Sequence, residues 1–211
     1  MSTNREFVNT SFFRAIFPET KWNKLLPDDF NLVIHRLREA GSPGAKAIEL
    51  IQKKKVKLGF FKQYKSGAGW TLLRNITLAP DMDLKKPYAL SLIIHETLHL
   101  EQSLLMRLSM RGELLAWQYQ ERAYFELTEK QIGASGQAYG GTRKHWDKLI
   151  QLSADSREDL EEAQDVTRDI APGYRSHCLP LYPLHQEVWY YLRQGEFKEA
   201  FDAVRNLISC K

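Results

Sequence analysis

Leu92-Ile93-Ile94-His95-Glu96-Thr97-Leu98-His99-Leu100 is the stretch on which the reading of this chain turns. Pro87 suits a first helical turn, and apolar residues from Leu92 to Leu105 predict a helix from about Tyr88 to Met106. Those apolar residues fall on most sides of the helix, so it should be buried. His95 and His99 stand four apart and share one face, one turn from each other, with Glu96 beside them. Polar groups inside a core need partners there, and a metal ion is the natural partner for two imidazoles.

Upstream of this helix the period is two. Val56, Leu58 and Phe60 alternate with Lys57, Gly59 and Phe61, and Lys65-Ser66-Gly67-Ala68-Gly69 is rich in turn formers. Trp70, Leu72, Arg74, Ile76 and Leu78 then alternate as far as Ala79-Pro80. The expectation is an antiparallel β-hairpin in a small sheet. Further upstream, Pro27, Asp28 and Asp29 open an amphipathic helix that ends before Gly41, and Ser42-Pro43 opens a shorter one with Ala47, Ile48 and Ile51 inside. Residues 1–26 carry Phe7, Phe12, Phe13, Ile16, Phe17 and Trp22 without a clean period and read as an arm packed on the body, with a pro-segment covering a cleft as the alternative.

Downstream, Ser109 can cap a helix through Leu114, Leu115, Trp117, Ala123, Tyr124 and Leu127 to Gly133. The short connection predicts that it pairs antiparallel with the His95 helix. Gly133, Gly136, Gly140 and Gly141 mark a loop that carries Tyr139. Helices follow over Thr142 to about Leu152, Ser156 to Ile170, Leu184 to Arg193 and Glu196 to Ser209. The last two resemble a single tetratricopeptide-like hairpin. One hairpin makes no array, so Val188, Trp189, Leu192, Phe197, Phe201 and Val204 are expected to pack on the body. The fold class is α+β and mostly helical, with a core over 1–140 and a C-terminal helical region over 141–211.

Composition narrows the class. A chain of 211 residues with 43% hydrophobic residues can bury a real core. The balance of 30 basic and 26 acidic residues is mild. Most Lys and Arg residues are dispersed, so no nucleic-acid partner is expected. Lys53-Lys54-Lys55 with Lys57 reads as a solvated helix end, with phosphate contact as the alternative. No apolar run approaches the ~20 residues of a membrane span, and the N-terminus lacks the apolar stretch of a signal peptide. Cys178 and Cys210 are too few for a disulfide framework and suit a reducing, cytoplasmic setting.

His95-Glu96-x-x-His99 is the H-E-x-x-H pattern in which two histidines hold zinc and the Glu acts as general base. A catalytic zinc site takes three protein ligands and keeps one position for water. Glu113 is the geometric candidate for the third: if the helical hairpin turns near Met106, His99 and Glu113 lie at one level, about 10 Å back along each helix at ~1.5 Å per residue. By the same register Glu121 and Glu126 fall below His95, and Glu101 points off the histidine face. His145 and His177 have no comparable register argument. Six histidines in 211 residues make the pair a rare coincidence.

The strand, the buried helix with His95-Glu96-x-x-His99 and the following helix with Glu113 resemble a gluzincin-type zinc metallopeptidase of the compact, single-domain zincin kind. The resemblance covers roughly residues 56 to 130. It implies a zincin-like core with Zn²⁺ held by His95, His99 and Glu113, Glu96 as catalytic base and then acid, and a peptide or protein substrate. It also implies that the strand Trp70 to Leu78 is the edge along which an extended peptide binds. Larger gluzincins carry an orienting acid four residues after the Glu ligand; this chain has Trp117 there, and Gln120 is the nearest substitute. Tyr139, His145 and Tyr174 are candidate donors to the transition state.

Two other readings use the same residues. In one, His95 and His99 are satisfied core residues and Glu96 pairs with an Arg. In the other, zinc binds without catalysis and the chain is a helical interaction or scaffold protein. The oligomeric state is not legible in the sequence.

Overall fold

The computed structural model describes residues 22–61, 67–70, 75–129, 143–170 and 179–209. The aromatic residues of 1–21, the turn formers Lys65 and Ser66, Tyr139 with its surrounding glycines, Tyr174, His177 and both cysteines lie outside them, as do the side chains of Trp22 and His145.

The described elements run β1 (Trp22–Lys24), α1 (Pro27–Leu37), a single 3-10 turn (Arg38–Ala40), α2 (Gly41–Lys53), β2 (Lys57–Phe61), β3 (Ala68–Trp70), β4 (Asn75–Leu78), α3 (Pro87–Glu101), α4 (Leu104–Arg107), α5 (Met110–Glu129), α6 (Arg143–Gln151), α7 (Arg157–Ile170), α8 (Leu184–Arg193) and α9 (Phe197–Ser209). The class is α+β, mostly helical with a small mixed sheet, as the sequence indicates. No helix among the described residues is long and apolar enough to cross a membrane.

The antiparallel hairpin expected from 56 to 78 does not form. Strand order is β1-β2-β4-β3, with β4 parallel to β2 and antiparallel to β3. Trp70 ends β3 and Ile76 and Leu78 lie on β4, which is inserted between β2 and β3, while Leu72 and Arg74 of the expected alternation lie outside the described residues. Alternation reports which face a residue takes and is blind to its partner strand and direction. Burial explains the outcome: Ile76, Thr77 and Leu78 are all buried, as an internal strand requires. Among the described strands β3 is thus outermost in place of the 70–78 segment, and the Thr77 hydroxyl donates to the Gly69 carbonyl at 3.0 Å.

The chain folds into two compact units. The first, among described residues, holds 22–101 and 118–129; the second holds 102–117, 143–170 and 179–209. In the first, Leu37, Ile51, Leu58, Ile76, Leu90 and Ile93 form a core with the later part of α5, through Ala123 and Leu127. The lysine run ends α2, and Lys54, read as solvated, instead donates its ammonium to the Leu100 carbonyl in the last turn of α3. A cation on a terminal carbonyl is favourable there because it meets the negative end of the helix dipole. The second unit has its own core of Met110, Leu114, Trp117, Leu149, Leu160 and Val166. Arg157 at the start of α7 donates to the buried Glu187 of α8 at 3.1 Å and to the Tyr191 hydroxyl at 2.8 Å.

Two further expectations are corrected. α3 stops at Glu101, short of Met106, because Ser103 caps a separate short helix by accepting from the Met106 amide at 3.3 Å. The Arg107 Nε donates back to the Gln102 carbonyl at 3.0 Å, which fixes that break, and Leu104 and Leu105 are exposed. The apolar residues of α8 and α9 are not all buried. Val188 and Val204 are half-buried, whereas Trp189, Leu192, Phe197 and Phe201 are exposed, because the buried sides of α8 and α9 are taken by their mutual contact and by Glu187.

Candidate metal centre

The site begins with the composition of α3. Ten of its neighbouring side chains from Ala89 to Leu100, Leu92 excepted, are buried along with His95, so the polar ones must find polar partners within the protein. Two do so locally. The Ser91 hydroxyl donates to the Tyr88 carbonyl at 2.8 Å, and the Thr97 hydroxyl to the Ile93 carbonyl at 2.6 Å. His95 and His99 behave differently: their Nε2 atoms turn toward each other at 3.1 Å, with the rings edge to face at a centroid separation of 4.8 Å. They are 4% and 1% exposed, and Glu96 beside them is 6% exposed.

Glu113 joins this pair. One ligand atom from each of His95, His99 and Glu113 lies within 4.8 Å of the others, and all three residues are buried. The fit to zinc can be tested on these distances. Two imidazole nitrogens bound tetrahedrally to one zinc at ~2.05 Å each stand about 3.3 Å apart, close to the observed separation of the Nε2 atoms. Two neutral imidazoles and one carboxylate form a borderline donor set that suits zinc and includes no thiolate. The histidine pair has the spacing of two ligands on one zinc, and with Glu113 it forms a group that could hold a metal ion.

Local structure explains the position of Glu113. Ser109 caps α5 as expected, its Oγ accepting from the Gly112 amide at 3.2 Å. Gly112 was invisible to periodicity, which counts glycine as a defect in a helix. Its role is one of space: a Cβ at this position would lie 2.0 Å from the Met106 carbonyl oxygen. The Gln102 side-chain amide donates to the Gly112 carbonyl at 3.0 Å across the same close approach. Segment 102–109 thus seats against the first turn of α5, immediately before Glu113.

The other acids considered go elsewhere. Glu101 is ion-paired with Lys46 at 2.7 Å, and that hydrogen bond holds the lysine ammonium above its ordinary range. The Glu126 carboxylate lies against Gly41, where an added Cβ would come within 3.1 Å of it. Among the described residues, Glu101, Glu121 and Glu126 belong to no group able to hold a metal, and Trp117 sits in an apolar cluster. Gln120 is buried. His145 lies on α6.

Trp70 is a neighbour the sequence reading did not connect with the site. Its ring centroid is 6.2 Å from that of His99, tilted by 42°. Only the order of the strands, which makes β3 outermost among those described, brings this aromatic beside the histidine helix. Comparisons of the chain with protein-family models, with curated proteins and with solved structures return no match.

Proposed function

We propose that this protein is a zinc-dependent peptidase of gluzincin-like design that hydrolyses peptide bonds of a peptide or protein substrate. The observation that carries the reading is the buried convergence of His95, His99 and Glu113, with Glu96 adjacent on α3. His95, His99 and Glu113 would hold the ion. Zinc at such a site supplies Lewis acidity, lowering the pKa of water toward ~7 and polarising a carbonyl oxygen.

The remaining steps belong to the chain. Glu96 is the base that takes the proton from the attacking water and, as its conjugate acid, returns it to the leaving amine. Burial of the surrounding helix lowers the local dielectric and strengthens that exchange. Among the described strands β3 is outermost, so its backbone would be the side along which an extended peptide adds, and Trp70 would lie close to that peptide beside His99. Tyr139 and His145 are the two candidates for the donor to the developing oxyanion, and Tyr139→Phe against His145→Ala separates them by the loss in kcat.

The experiment is metal analysis of the purified protein followed by assay of Glu96→Gln. Zinc retained at one equivalent with hydrolysis of a peptide library abolished supports the assignment. Unchanged hydrolysis would sink the role of Glu96. A second reading, a zinc-binding scaffold without catalysis, draws on Trp117 standing where an orienting acid is expected; it predicts stoichiometric zinc and no turnover in the wild type.

A further inference from the structure

Two stripes of large apolar side chains lie exposed on one helical hairpin. On α8, Trp189 is 55% and Leu192 38% exposed; on α9, Phe197 and Phe201 are 71% and 67% exposed. Phe197 and Phe201 stand four apart and share one face of α9, and Trp189 and Leu192, three apart, share one face of α8. The hairpin itself is well made. α8 is closed by Gly195 at φ 77°, and the Glu196 amide donates to the Tyr191 carbonyl at 3.0 Å. Ala200 is buried, and Arg157 ties Glu187 and Tyr191 of α8 to α7. A firmly held hairpin whose aromatics face water has a face built for something else.

We propose that this face joins two copies of the chain, α8–α9 against α8–α9, about a two-fold axis. The argument from area is direct. With about 200 Å² per aromatic side chain, the four residues expose about 450 Å² of apolar surface per copy. A standard interface buries about 800 Å² per partner, of which a little over half is non-polar, so the patch supplies the apolar share of one such interface.

Charge favours the same occupant. From Arg193 to Arg205 the hairpin carries Arg193, Lys198 and Arg205 against Glu196, Glu199 and Asp202, so the signs cancel. A neutral face does not select an oppositely charged partner and does not repel its own copy. Glu196, just before α9, and Glu199 in its first turn flank Lys198 and leave that end net acidic, while Arg205 stands toward the other end, so antiparallel pairing about Phe201 sets the net acidic end of one copy toward Arg205 of the other. Helical hairpins of this kind ordinarily stack on a neighbouring hairpin to finish their core. Here a second copy of α8–α9 supplies that neighbour.

The test is sedimentation equilibrium of the full chain from about 1 to 200 μM, with Phe197→Glu/Phe201→Glu, Trp189→Glu and Phe125→Glu run beside it. The wild type should rise from 24.6 kDa toward twice that mass. Phe197→Glu/Phe201→Glu should stay monomeric with unchanged far-UV circular dichroism, and Trp189→Glu should raise the dimer Kd at least tenfold. Phe125, also exposed but on α5, should tolerate Glu with no change in Kd. A wild-type chain that stays monomeric to 200 μM overturns the proposal, whether it remains free or sediments with phosphatidylserine vesicles. So does a dimer that survives the double substitution or that Phe125→Glu dissociates.

Discussion

α3 and the α8–α9 hairpin break the usual distribution of side chains in opposite senses. α3 carries two imidazoles and a carboxylate into a region where Leu90, Ile93, Ile94 and Leu100 are at most 2% exposed. The hairpin carries two phenylalanines and a tryptophan into water. In ordinary packing, polar groups brought inside must recover what solvation gave them, and apolar groups left outside forgo the gain of burial. The partners proposed for the two departures differ accordingly: a cation for α3 and another apolar face for the hairpin. Burying more apolar surface would not satisfy the first, and an ion would not satisfy the second.

The sharpest way to break the comparison is to remove the ligands. Glu113→Ala should weaken zinc binding by more than about 100-fold, since loss of a residue that merely orients a ligand already costs about 10- to 100-fold. A chelator titration that leaves the variant with wild-type affinity would return the third position to Glu121 or His145. Next comes the packing around α3. Ile93→Ala, at a fully buried site, should cost about 2–5 kcal/mol in urea unfolding, and a loss under about 1 kcal/mol would mean that α3 is not held in a close-packed core.

The hairpin predicts a smaller effect of another kind. Glu187→Ala leaves the Arg157 guanidinium with the more exposed Glu161 as its remaining carboxylate partner, and should cost about 2–3 kcal/mol while zinc content stays unchanged. If zinc is lost along with stability, the two regions do not respond separately. Lys54→Met removes one charge-assisted bond at the end of α3 and should cost about 1 kcal/mol. Smallest is Lys46→Met: the Lys46–Glu101 pair is more than a third exposed on both sides, so thermal unfolding should shift by less than the equivalent of about 0.5 kcal/mol.

How far the sequence could be read depended on the range of each interaction. The i, i+4 placement of His95 and His99 is a property of any helix, so it was legible before folding. Pro87 at the start of α3, Ser109 as the cap of α5 and the bounds of α8 were equally local. The strands failed differently: the alternation of Ile76 and Leu78 was real, but a strand next to β2 is chosen by distant contacts, and β4 took that place by turning back through β3. Leu104 and Leu105 continued the apolar pattern of α3 on paper, yet the Ser103 cap and the Arg107–Gln102 bond end the helix before them.

By itself, then, the sequence determined the helix types, the histidine pair with Glu96 between, and the candidacy of Glu113, because these follow from residue chemistry and helical spacing. The tertiary structure alone decided that β4 is internal, that Trp70 of β3 stands beside His99, that Gly112 leaves room for the Met106 carbonyl, and that Phe197 and Phe201 face outward. Each of these depends on which surfaces meet after collapse, and a residue's neighbours along the chain carry no information about that.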